Sequence, residues 1–139
     1  MSHDGLRRLA VADRLLQDPG LVEPGVWPRA CTWLIRLALE HAVDDFWAAR
    51  RPEVAAASRR AQLLTLTRTV DADLGRRGTE LWHVLSRAAH HHAYKLAPTA
   101  IELREWHGEV GGVVGGLADL RGDPPPDRGP RYPTKQEGQ

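Results

Sequence analysis

The chain has 139 residues, a formal net charge of +1 and 42% hydrophobic residues, enough for one domain with one core and too apolar for disorder throughout. Near-neutral charge makes no global case for nucleic acid, so any such surface must come from local clustering. The single cysteine, Cys31, excludes an intramolecular disulfide; the absence of a long apolar run or a signal-like start sets the expectation of a cytoplasmic protein with no membrane partner.

Ala and Leu dominate the apolar set, a balance that favours helices over sheets. Residues 4–17 repeat apolar positions at Leu6, Leu9, Ala10, Ala12, Leu15 and Leu16, a helical spacing that Asp18-Pro19-Gly20 ends. The Pro- and Gly-rich residues 19–28 read as a loop. Pro28 opens a second helix, in which Ala30, Trp33, Leu34, Leu37, Ala38, Ala42, Phe46 and Ala49 keep the period until Pro52. Cys31 lies in this apolar stretch and reads as a buried thiol. A third helix is predicted over 52–74, with Leu63, Leu64, Leu66 and Val70 toward the core, followed by a turn in which Gly75 and Gly78 bracket two arginines.

Thr79 is placed to cap a fourth helix over 80–96, and Pro98 breaks it. Thr99 and Glu102 then form a capping box for a fifth helix carrying Ile101, Leu103, Trp106 and Val110. Its glycine pairs at 111–112 and 115–116 make weak helix, or permit close packing, across a dimer for example. From residue 121 onward Pro, Gly and charge predict a disordered tail. The expected architecture is all-α: an up-down bundle of about five helices over residues 1–120 and a disordered C-terminal tail over 121–139.

The densest polar cluster is His83, Arg87, His90, His91, His92 and Tyr94. At about 100° per residue, His92 falls in the stripe of Leu81, Leu85 and Ala88, while His83, Arg87, His91 and Tyr94 share an adjoining face. A histidine toward the core flanked by an arginine can bind a phosphate and move a proton. The plainer alternatives are a core histidine, solvated His90 and His91, and an Arg87 paired with a carboxylate such as Asp44 or Glu102. Three consecutive helical histidines point apart and cannot share one ion, so no metal is expected, and no motif calls for a cofactor.

On the second helix Arg36 and Glu40 are spaced to pair, and Glu40/Asp44 and His41/Asp45 each share a face, which reads as solvated or salt-bridged. Arg50-Arg51, Arg59-Arg60, Arg68 and Arg76-Arg77 bias the third helix and its flanks toward positive charge. Arg59 and Arg60 are the candidates there for RNA phosphate; an ordinary arginine-rich surface is the alternative.

Two stretches, residues 33–42 followed by Phe46-Trp47, and residues 85–94, together resemble the HEPN superfamily of small helical bundles, in particular its actinobacterial members. The family signature is an arginine, four to six residues, then a histidine; Arg87 and His92 match it with four intervening, and the resemblance covers roughly residues 30–110. It implies a homodimeric, metal-independent endoribonuclease of a toxin–antitoxin or defence system, with His92 as general base or acid and Arg87 stabilising the phosphoryl transition state. His83, His90, His91 and Tyr94 would support that pair or bind RNA. Ala88 stands where many active members carry a polar residue. Other members are RNA-binding, antitoxin-like or assembly domains, so a non-catalytic interaction domain with a protein partner is the second expectation.

Overall fold

The computed structural model describes residues 4–18, 27–90 and 97–122. All regular structure among them is helical: α1 (Asp4–Gln17), α2 (Trp27–Arg50), α3 (Pro52–Ala55), α4 (Arg59–Thr69), α5 (Ala72–Ala89) and α6 (Ala100–Arg121). No helix among the described residues is long and apolar enough to cross a membrane.

The core is built on α2, which touches every other helix. Its buried residues Cys31, Ile35, Ala38, Leu39, Ala42, Val43, Phe46 and Trp47 recur at 3.6-residue spacing. Trp33, expected on this stripe, lies on the opposite side of the helix from Ile35 and Ala38 and is 58% exposed. Cys31 is fully buried, as expected, and desolvation pushes its thiol up to about 11. Phe46 and Trp47 meet edge to face, with centroids 5.1 Å apart.

α1 runs antiparallel to α2. Gly5 sits against Ala38 and Ala42, and at the other end the Trp27 indole N–H donates to the Leu15 carbonyl. α6 lies along α1 through His107 beside the Leu9 carbonyl at 2.9 Å and Arg104 donating to the Leu16 carbonyl. Against α5 it runs antiparallel, since Gly78 faces Val113 and Leu74 faces Gly116. The expected capping box is present: the Glu102 amide donates to the Thr99 hydroxyl at 3.2 Å and the Thr99 amide to the Glu102 carboxylate at 3.4 Å. α6 continues unbroken through its glycine pairs to Gly122, which ends it at φ 72°.

The single helix predicted over 52–74 is three pieces. Ser58 takes an extended conformation and accepts from the Ala61 amide, restarting the chain as α4. Asp71 does the same, accepting from Leu74 N–H at 3.0 Å, and starts α5. Gly75 and Gly78 are therefore not a turn but buried positions inside α5. Thr79 is no cap; its hydroxyl donates to the Gly75 carbonyl one turn back. α5 closes at its C-cap His90, while residues 91–96 of the predicted fourth helix lie outside the described residues. The predicted tail is also outside them, apart from Arg121 and Gly122.

Candidate nucleic-acid interface

α5 is strongly two-sided. Leu74, Gly78, Leu81 and Leu85 are buried on one side. The opposite side carries Arg76, Glu80, His83, Arg87 and His90, all exposed. Their spacing (i, i+4, i+7, i+11, i+14) keeps them within a wedge of about 80° and strings them over about 21 Å of helix. Four of the five are arginine or histidine, and Glu80 is the one acid. His83, Arg87 and His90 are exposed and, among the described residues, make no hydrogen bond or ion pair to another side chain. Among the described residues Arg76 donates only to the Ala72 carbonyl of its own helix. Arg87 stands in the last turn, where the helix dipole favours a cation.

Beside this stripe, α4 and α5 enclose a groove of about 420 Å³. Leu63, Leu64 and Trp82 supply its apolar surface, and Arg60, Arg76 and His83 its basic rim. The Trp82 and His83 rings lie 5.3 Å apart, tilted by 51°. A second groove of about 270 Å³ between α5 and α6 holds Arg77, Glu80, Trp106 and Glu109.

The two adjacent arginines predicted for RNA have separate fates. Arg60 is exposed on the first groove. Arg59 is tied into the fold. Its guanidinium donates to both Asp44 carboxylate oxygens (2.5 and 3.1 Å), to Gln62 Oε1 at 2.7 Å, and to Glu40 through the carbonyl (3.1 Å) and the carboxylate (3.4 Å). Glu40 also takes the expected bond from Arg36, at 2.7 Å. Asp44 thus pairs with Arg59 and not with Arg87, and Glu102 serves the capping box.

Burial pushes the Asp44 carboxyl up. Hydrogen bonds from Arg59 and Gln62 and the charges of Arg59 and His41 outweigh that and hold it below its ordinary value. A depressed carboxylate contributes stability that is present above the unfolded value of about 3.9 and is lost as pH falls through the folded value. Asp44→Asn should therefore cost about 1 kcal/mol at pH 7, kept small because the side chain is 46% exposed. Between pH 5 and pH 3 the variant should lose less melting temperature than the wild type. Thermal melts at the three pH values check this; parallel curves would show that Asp44 does not carry the acid sensitivity.

His91, His92 and Tyr94 lie outside the described residues, as does the geometry of His92 relative to Arg87. Glu80 and His83 have the Glu-x-x-His spacing of helix-bundle metal sites, but among the described residues no group of three His, Cys, Asp or Glu is placed to hold an ion. Sequence reasoning missed Arg76, Leu64 and Trp82 as neighbours of His83. The available signal was the run Leu74, Gly78, Leu81, Leu85, a helical period that starts at Asp71 and not at Thr79. Comparison with known protein families, with curated proteins and with solved structures finds no match to this chain.

Proposed function

We propose that this chain is a cytoplasmic RNA-binding domain that holds the phosphate backbone along the exposed stripe of α5. The observation that carries the reading is the alignment of Arg76, His83, Arg87 and His90 on one solvent-facing side, next to a groove rimmed by Arg60. In this reading the long helices α1, α2, α5 and α6 form an up-down bundle that fixes the stripe on its surface.

The HEPN resemblance adds the chemistry. Arg87 stabilises charge on the phosphate, His92 moves the proton of the ribose 2′-hydroxyl, and a second copy of the chain supplies the other half of a symmetric cleft. Mixed RNA incubated in EDTA with wild type, Arg87→Ala and His92→Ala tests both layers. Wild type should cleave, and each variant should be at least about 100-fold slower. RNA bound but left intact would remove the nuclease layer and leave the binding function.

An interaction domain with a protein partner is the second reading, favoured by exposed Trp33 and Ile101. An acidic polypeptide that displaces RNA at equal charge concentration would favour it.

A further inference from the structure

We infer that the α4/α5 groove is a pocket for an unpaired nucleobase, so that the domain selects single-stranded over double-stranded RNA. This rests on the RNA-binding reading of the neighbouring stripe. The groove has three properties that a base needs together. It is concave and, at about 420 Å³, within the ~300–1,000 Å³ usual for small-ligand clefts. Half-buried Trp82 and the apolar side chains of Leu63 and Leu64 wall it, and Leu64 is left 49% exposed there. Its rim is basic, with Arg60 on α4 facing Arg76 and His83 on α5, against the single acid Glu80.

The stripe and the groove share Arg76, Glu80 and His83, so a strand whose phosphates follow α5 passes the mouth of the groove. Only a nucleotide free of its partner can turn its base away from the backbone and into a cleft between helices. A duplex keeps its bases stacked and offers phosphate and ribose alone. Stacking on an aromatic wall tolerates any base, because every base has a π-face. Glu80 adds an acceptor for an exocyclic amine. The Thr67 and Thr79 hydroxyls already donate to the Leu63 and Gly75 carbonyls, so toward a ligand they too act as acceptors.

The test uses the full chain, a short single-stranded RNA and its duplex, and three variants whose folding is checked by thermal melts. Trp82→Leu removes the aromatic face, Trp82→Phe keeps one, and Leu64→Trp fills the groove from an exposed position. Adenosine monophosphate is added separately, with the Trp82 indole N–H followed by NMR. Wild type should bind the single strand about tenfold or more tightly than the duplex. Trp82→Leu and Leu64→Trp should erase that preference without changing duplex affinity, and Trp82→Phe should keep most of it.

The nucleotide should also shift the Trp82 signal. Equal binding of strand and duplex by wild type, with no Trp82 shift, overturns the pocket and leaves the stripe standing. A Trp82 shift in a protein that binds no RNA overturns the RNA reading and leaves a nucleotide pocket. Neither response overturns both.

Discussion

Gly75→Ala should lower stability by about 3 kcal/mol or more, a fall in melting temperature of about 10 °C or more for a chain of this size. Helix propensity alone predicts the opposite, since alanine in a helix interior is favoured over glycine by about 1 kcal/mol. The packing reverses the sign. A β-carbon at position 75 would stand 2.5 Å from Thr67 Cα and 2.6 Å from Thr67 N, and would overlap the Thr67 hydroxyl. These are backbone atoms of α4, so no rotamer change relieves the overlap. The helix itself has to move, and α4 is held to α5 through a joint of only two residues, Val70 and Asp71. Moving it disturbs the Asp71 cap and the burial of Leu66 and Leu74.

Gly111→Ala is the matched control, because nothing lies within 4 Å of its added carbon, and it should stabilise by up to about 1 kcal/mol. Urea midpoints for the two variants decide the matter. A Gly75→Ala protein as stable as wild type would mean that α4 and α5 do not approach as closely as described.

Gly75 also marks the limit of what could be read from the sequence. Signals completed within a few residues were legible. The Thr99–Glu102 box, the Arg36–Glu40 pair and the burial of Cys31 follow from helical spacing and appear in the structure. Features decided by a distant neighbour were not. Two glycines flanking Arg76 and Arg77 look like a turn until Thr67 and Leu63 are brought against them. Ser58 and Asp71 look like ordinary polar positions in a helical run until the helix breaks at each and the next one needs their oxygens as caps. Arg59 and Arg60 are indistinguishable as sequence neighbours. Asp44, fifteen residues away, commits Arg59 to the fold and leaves Arg60 for solvent. In the site, His83, Arg87 and His90 were legible as a polar cluster on one helix. Their continuation to Arg76 required knowing that α5 starts at Ala72.

Joint replacement of Arg76 and Arg87 by alanine should weaken single-stranded RNA binding by about 100-fold at low salt and flatten its salt dependence. Each phosphate contact on a single strand contributes about −0.7 to the slope of log affinity against log salt, so losing two should reduce the slope by about 1.4. The two residues are eleven apart on one helix, about 16 Å, beyond the range at which side chains share partners. Their losses should therefore add, each single variant giving about a tenfold loss and a slope change of about 0.7.

Glu80 lies between them on the same stripe, and Glu80→Gln should move both quantities the other way by removing its repulsion of the strand. Arg59→Ala separates charge on this face from charge in general. It also removes one positive charge, but from a side chain only 19% exposed and held by Glu40 and Asp44. It should cost about 2 kcal/mol of stability by removing the cation from Asp44 and Glu40, which keep only their bonds from Gln62 and Arg36, and it should leave the salt slope of the folded protein unchanged. Fluorescence anisotropy across a salt series reads all five variants. If Arg59→Ala flattens the slope as much as Arg76→Ala does, binding follows net charge and the stripe on α5 has no special part in it.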